Sequence, residues 1–297
     1  MDRDPWHLII THIRLAAKRL PRASRRFRFN DVLIVAMYFW AVAHDRPMVF
    51  ACDRQNDHRL FRPRRLPSIS QFHRRVKSDR VRQILQSVHD AMAGVDVPTA
   101  LSHVDGKALA VGPVSKDPDA KNGYAAGGRM AKGYKLHSIV SEDKRLLCWC
   151  VRPMNEHEMP IARLMLDSLP PFTERSLLLA DGNYDAHVFH KDVDARGGRL
   201  VTNLRGRAEH PVTRRQMGRA RRELLRLNQT HRPLVRMTLR HRNDIELTYS
   251  NLTSYGGGLG PLPAFVRRLP RVTRWVGVKI TLYHARLGVR KRRLKER

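Results

Sequence analysis

Three carboxylates stand apart in a chain dominated by positive charge. Asp105 lies inside the stretch SHVDGKAL, Asp181 directly follows the apolar run SLLLA, and Glu246 comes four residues after Arg242. Hard divalent cations such as Mg²⁺ take oxygen ligands of this kind and keep several waters. Two such ions about 3.5–4 Å apart activate an attacking oxygen and stabilise a leaving oxygen in an in-line phosphoryl transfer. Three acids drawn from separated positions suit that chemistry. Taken singly, Asp105 and Asp181 suit turns or caps equally well. The neighbouring acids read differently. Asp185 is expected to cap the helix that follows it, Asp117 and Asp119 to lie solvated in a loop, and Asp244 to face elsewhere on the helix of Glu246.

The elements that must position these acids follow from the pattern around them. Residues 101–111 have strand character, and a Gly/Pro-rich loop follows. Tyr134–Val140 and Arg145–Val151 form a hairpin across Ser-Glu-Asp-Lys. Asn155 with Glu158 at box spacing predicts a capped helix running to Pro170. The unbroken run SLLLA predicts a strand buried on both faces. A helix over 185–196, stopped by Gly197-Gly198, and a strand over 200–204 complete the order. Strands interleaved with helices predict a mixed α/β sheet. Asp105 would then sit within its first strand, and Asp181 at a strand end, where open sheets place ligands.

Residues 1–97 read as helical. Trp6, Ile9, Ile10 and Ile13 mark a first helix, and Asn30 caps an apolar helix over 31–43. Ser68 and Gln71 fit a capping box, and a further helix from Asp79 ends at Gly94. The two short helices with basic residues, among them Arg74 and Arg75, suit a helix-turn-helix or an ordinary helical hairpin alike. Residues 98–297 would form the second domain, with an arginine-rich insertion at 205–240, a helix around 242–246, another through Trp275 and Tyr283, and a basic tail.

The charge selects the partner. With 57 Lys+Arg against 27 Asp+Glu, the net charge is +30. Such an excess favours a polyanion, and a nucleic acid backbone fits dispersed basic residues better than a membrane surface. Twelve arginines fall between Arg205 and Arg242, including Arg219, Arg222 and Arg226, which are expected to grip phosphates through their planar forks. The longest apolar run, Val32–Ala43, has 12 residues, too short for a span of about 20. The N-terminus lacks a signal-peptide layout, so a cytoplasmic, nucleoid-associated location is expected. Cys52, Cys148 and Cys150 are read as free thiols, the last two buried.

The set VDGKAL, GYKLH, LLADGNYDA and R-N-D-I-E resembles the DDE transposases of bacterial insertion sequences, in the broad group of insertion sequence families four and five. The resemblance spans roughly residues 29–290 and is strongest over 101–250. It implies a ribonuclease H-like core with an N-terminal all-helical domain. It also implies a catalytic triad of Asp105, Asp181 and Glu246 that holds two Mg²⁺ (or Mn²⁺) ions. Cleavage at terminal inverted repeats, strand transfer into target double-stranded DNA and a homodimer in the synaptic complex follow from it as well. Arg242 matches the arginine of the family's Y-x2-R-x3-E-x6-K signature, whereas Leu239 and Thr253 stand where it has tyrosine and lysine. A non-catalytic sequence-specific DNA-binding protein, or a degenerate transposase that only binds ends, is the alternative. Three convergent carboxylates on a polycationic chain favour the enzyme.

Overall fold

The computed structural model describes residues 3–21, 27–56, 65–94, 100–125, 128–173, 176–204, 217–254 and 258–295. In chain order the elements are α1 (Arg3–Arg19), α2 (Asp31–Ala43), α3 (Met48–Ala51), α4 (Ile69–Val76), α5 (Asp79–Ala93), β1 (Leu101–Ala110), β2 (Lys121–Tyr124), β3 (Met130–Ser141) and β4 (Leu146–Pro153). There follow α6 (Glu158–Asp167), β5 (Leu177–Ala180), α7 (His187–Ala195), β6 (Arg199–Thr202), α8 (Arg219–Thr230), α9 (Arg232–Arg240), α10 (Asn243–Ser254) and α11 (Leu269–Lys295). The first third of the 205–240 insertion, residues 205–216, lies outside the described residues.

The chain divides into two compact units, Met1–Gly94 with Asn251–Arg297, and Val95–Ser250. This differs from the expected division at residue 97, which left everything downstream with the second domain. The reason is α11. Its Val272, Val276, Ile280 and Ala285 are buried within the first unit, where the helix packs on α1, α2 and α5. The basic residues expected to form a tail after Arg286 instead continue this helix to Lys295.

Within the first unit the local signals act as the sequence predicts. The Asn30 side chain accepts from the Leu33 N–H and starts α2, whose Ile34–Phe39 segment is wholly buried. Ser68 and Gln71 form a reciprocal capping box on α4. Gly94 ends α5 in the left-handed region at φ 60°, a conformation that costs glycine nothing.

The second unit is built on a mixed six-stranded sheet. Its order is β2-β3-β1-β5-β6, with β4 also paired to β3. β3 runs antiparallel to β1, β2 and β4, whereas β1, β5 and β6 are parallel. Side chains alternate between faces. Leu178 and Ala180 of β5 therefore join Val104, Ile139, Ile161, Leu166 and Phe189 beneath α6 and α7. Leu179 points the other way, with Val201, Leu224 and Val235 beneath α8 and α9. This two-sided burial explains the unbroken SLLLA run.

Three local expectations change. A short strand, β2, occupies part of the Gly/Pro-rich loop, where Gly123 passes Met154 so closely that a Cβ would come within 2.3 Å of its carbonyl oxygen. The helix α6 has His157 at its N-cap without a side-chain cap, so Asn155 does not start it and Glu158 is its first residue. Asp185 does not cap α7, which begins after Ala186.

Candidate active site

The register of the sheet sets two of the three predicted acids side by side. β1 and β5 pair with Leu101 opposite Leu177 and His103 opposite Leu179. Two residues further along each chain lie Asp105 and Asp181, just past the end of β5. Beyond this point β1 continues with no strand partner on that edge among the described residues. A parallel strand end of this kind leaves side chains accessible outside the ladder, and both acids take advantage of it.

Asp105 is the more perturbed. Burial foremost, and then the charges of Asp181 and Glu158, raise its carboxyl from 3.8 to about 6. A 2.7 Å hydrogen bond from the Gly106 N–H and the charge of Arg242 oppose the rise. Asp181 opens the 3₁₀ turn Gly182–Tyr184: its two oxygens accept from the Asn183 backbone N–H at 2.8 Å and the Asn183 side-chain amide at 3.1 Å. Each acid thus also serves its backbone. The pair nonetheless concentrates like charge in a partly buried place. Hard oxygen donors that repel one another there fit a divalent cation, which would pair with both and draw the Asp105 carboxyl back toward its ordinary value.

The helix α10 packs on the face of this strand that carries the Asp105 side chain, where Asp105 and Ser138 are register partners. The Tyr249 hydroxyl donates to the Asp105 carbonyl oxygen at 2.8 Å and shares a 2.9 Å hydrogen bond with Ser138 Oγ. Lys107 Nζ lies 5.9 Å from the Tyr249 ring centre. Ile245, Thr248 and Tyr249 form the buried face of α10. Glu246, in its first turn, is exposed and makes no hydrogen bond or ion pair among the described residues. Among those residues no three His, Cys, Asp or Glu side chains come close enough together to hold a metal ion. The register thus places Asp105 and Asp181 at neighbouring strand positions, and among the described residues neither they nor Glu246 belong to a group of three such side chains. Arg242 sits just before α10, half-buried, with its carbonyl accepting from the Ile245 N–H at 3.1 Å, and forms no ion pair with Glu246 or Asp181 among the described residues.

Two groups beside Asp105 escaped the sequence reading. Glu158 accepts from Lys135 Nζ at 2.7 Å. The pair fills the space that a side chain on Gly106 would take: a Cβ there would lie 2.8 Å from Lys135 Cδ and 3.2 Å from Glu158 Oε1. The glycine in VDGKAL was the available signal. The second group is Tyr184, whose phenol is pushed well above its ordinary value by burial and then by Glu158, Asp105, Tyr249 and Asp181. Its place in LLADGNYDA, three residues after Asp181, could have marked it.

The predicted DNA-contacting arginines divide by exposure. Arg74 is exposed, but Arg75 is buried, paired with Asp31, bonded to the Phe29 carbonyl and stacked on the Phe27 ring at 3.9 Å. Arg75 is thus committed to the fold of the first unit, because its fork matches an acid 44 residues upstream that sequence spacing cannot connect to it. Arg219, Arg222 and Arg226 are exposed on α8, at spacings that place them on one side of the helix. Arg219 also pairs with Glu223 at 3.0 Å. Arg221 points inward and grips Asp185 with two bonds of 2.7 and 2.6 Å, and His190 lies 3.2 Å from the same carboxylate. Asp117, expected to be solvated, is buried and accepts from the Tyr134 hydroxyl at 2.8 Å. Asp244 lies 3.7 Å from His241, and its charge acts on His103. The cysteines are free thiols, with Cys148 and Cys150 packed against the α6–α7 side of the core.

The family described as the transposase DDE domain matches residues 98–259. Among solved structures, the piggyBac transposase synaptic complex with hairpin DNA is similar at a TM-score of 0.48 and 12% identity, over 97% of this chain and 72% of that one. No curated protein matches the chain. Among the described residues no helix is long and apolar enough to cross a membrane.

Proposed function

Because the chain belongs to the transposase DDE domain family, we propose that it is a metal-dependent DNA transposase that cleaves at terminal inverted repeats and joins the freed 3′ end to target DNA. The observation that carries this reading is the pairing of Asp105 with Asp181 at the open end of adjacent parallel strands. The strand order supports a ribonuclease H-like core. An antiparallel set, β1, β3 and β4, continues through β1 into parallel β5 and β6. The motif resemblance supports a place among bacterial insertion sequence transposases.

In this mechanism Asp105 and Asp181 would hold the cation, Mg²⁺ or Mn²⁺, with Glu246 as the third acid of the triad. Two such ions supply Lewis-acid stabilisation of the attacking and leaving oxygens. The other roles fall to the chain itself. Tyr249 fixes the Asp105 backbone against α10, so the carboxyl is presented at a set depth. Arg242, whose charge reaches Asp105 without being consumed in an ion pair, holds a phosphate of the strand being cut. Arg219, Arg222 and Arg226 track the DNA backbone, and Arg74 adds a phosphate contact in the first unit. Double-stranded DNA is the partner, in a homodimeric synaptic complex, and the protein acts in the nucleoid.

A second reading, a protein that binds DNA ends without catalysis, draws on the exposed position of Glu246. One experiment separates the two. Full-length protein is incubated with labelled duplex bearing the element's terminal repeat and a target plasmid, with Mg²⁺ or EDTA. The transposase reading expects joined product with Mg²⁺ alone, and none from Asp105→Asn or Asp181→Asn proteins that still bind the duplex. Product formed in EDTA, or by either variant, refutes it. Binding without product in the wild type establishes the second reading.

A further inference from the structure

We propose, resting on the DNA-binding role just assigned, that Tyr124 and Met130 form an apolar wedge that presses between base pairs of the bound duplex and bends it. Tyr124 of β2 and Met130 of β3 are register partners, 69% and 61% exposed. Side chains directly opposite on neighbouring strands lie side by side on one face, so the two form a single ridge. Val114, 91% exposed, belongs to the loop over the same face. That loop is tied down beside the ridge, because Lys132 Nζ, two residues from Met130, donates to the Ser115 carbonyl at 2.7 Å. Single apolar side chains on a surface carry no meaning, whereas a contiguous group marks a contact.

The register fixes where this ridge stands. Ser138 is the partner of Asp105, and Met130 lies an even number of residues from it along β3, so Asp105, Met130 and Tyr124 share one face of the sheet. The intervening strand spans about 27 Å, or about eight base-pair steps of duplex. DNA that runs along this face to reach Asp105 therefore passes the ridge. The surrounding charge selects the occupant. Lys116, Lys121 and Arg129 are exposed around it, while Asp117 is buried on the Tyr134 hydroxyl. A second copy of the chain would bring the same cations and be repelled, whereas a phosphate backbone is drawn in. Basic residues that hold phosphates beside an apolar tip suit a duplex opened at one base step: a methionine wedges into the step and an aromatic ring stacks on the uncovered base.

The test uses full-length protein and a terminal-repeat duplex carrying a fluorophore at each end, in EDTA so that nothing is cut. Affinity is measured across a salt series, and the bend is read from energy transfer between the ends. Tyr124→Ala with Met130→Ala is expected to weaken binding roughly tenfold and to abolish the bend. Its salt slope should match the wild type, because no phosphate contact is removed. Tyr124→Phe keeps the ring and should retain both affinity and bend. A double variant that binds and bends like the wild type overturns the wedge, and so does a lowered salt slope or a bend lost in Tyr124→Phe. A changed oligomeric state with the bend intact would make the ridge a contact between protein chains and overturn it too. A wild type that does not bind the duplex refutes the DNA-binding role itself, and the wedge falls with it. Should the alanine protein fail to fold, Tyr124→Thr with Met130→Thr keeps strand propensity and decides by the same readouts.

Discussion

Replacing Asp105 by asparagine should make the metal-free protein more stable, and increasingly so as pH rises. The carboxyl is raised from 3.8 to about 6, chiefly by burial and further by Asp181 and Glu158. A folded-state value above the unfolded one means that stability present below about 3.8 is lost as pH climbs through about 6. The full loss, about 2.2 pH units at about 1.36 kcal/mol each, is about 3 kcal/mol. Linkage gives roughly half of it by pH 5 and nearly all of it by pH 8. Asparagine removes the charge, and its side-chain oxygen still accepts from the Gly106 N–H. Urea melts in EDTA at pH 5, 6, 7 and 8 should therefore show Asp105→Asn above the wild type by a margin that roughly doubles across the series. In thermal melts about 3 kcal/mol corresponds to about 6–12 °C. A margin independent of pH, or a variant less stable than the wild type at pH 8, would refute the argument. Added Mg²⁺ should narrow the margin by stabilising the wild type alone.

Three further predictions concern the surrounding framework. Arg221→Ala strands the buried Asp185 carboxylate and should cost about 3–5 kcal/mol in urea denaturation, whereas the double change Arg221→Met with Asp185→Leu should recover most of it; equal losses in both proteins would contradict the pairing. Neutralising Arg219, Arg222 and Arg226 one at a time should lower the salt slope of DNA binding by about one unit each, and an unchanged slope in the triple variant would remove α8 from the interface. Gly133→Ala should be far more disruptive than Gly106→Ala, because its Cβ would lie 2.3 Å from the Leu109 carbonyl oxygen, while the Gly106 Cβ would meet the flexible Lys135 stem at 2.8 Å. Comparable melting temperatures for the two variants would be the contrary result.

Much of the local structure was legible because it depends on neighbours in sequence. Asn30, Ser68 with Gln71, and Gly94 act within one turn of chain, and each does in the structure what its spacing announced. SLLLA announced a strand buried on both faces because alternation alone sends its leucines to opposite cores. Asp105 and Asp181 stood out for a related reason, as charges inside or beside apolar strands in a chain of net charge +30. What spacing could not settle was partner choice across distance. Arg75 looked like a free basic residue until Asp31, 44 positions away, took its fork. Asp185 looked like a cap until Arg221, 36 positions on, reached it. Asp117 looked solvated until the Tyr134 hydroxyl found it, and Glu158 looked like half of a capping box until β3 presented Lys135. The course of α11 into the first unit belongs with these, because an amphipathic stripe states that a face must be covered but not by which helices. Residue type and period set each element and the kind of chemistry available. Sheet register and long-range ion pairs decided which carboxylates stand together, because the cost of burying a charge depends on the particular group that meets it.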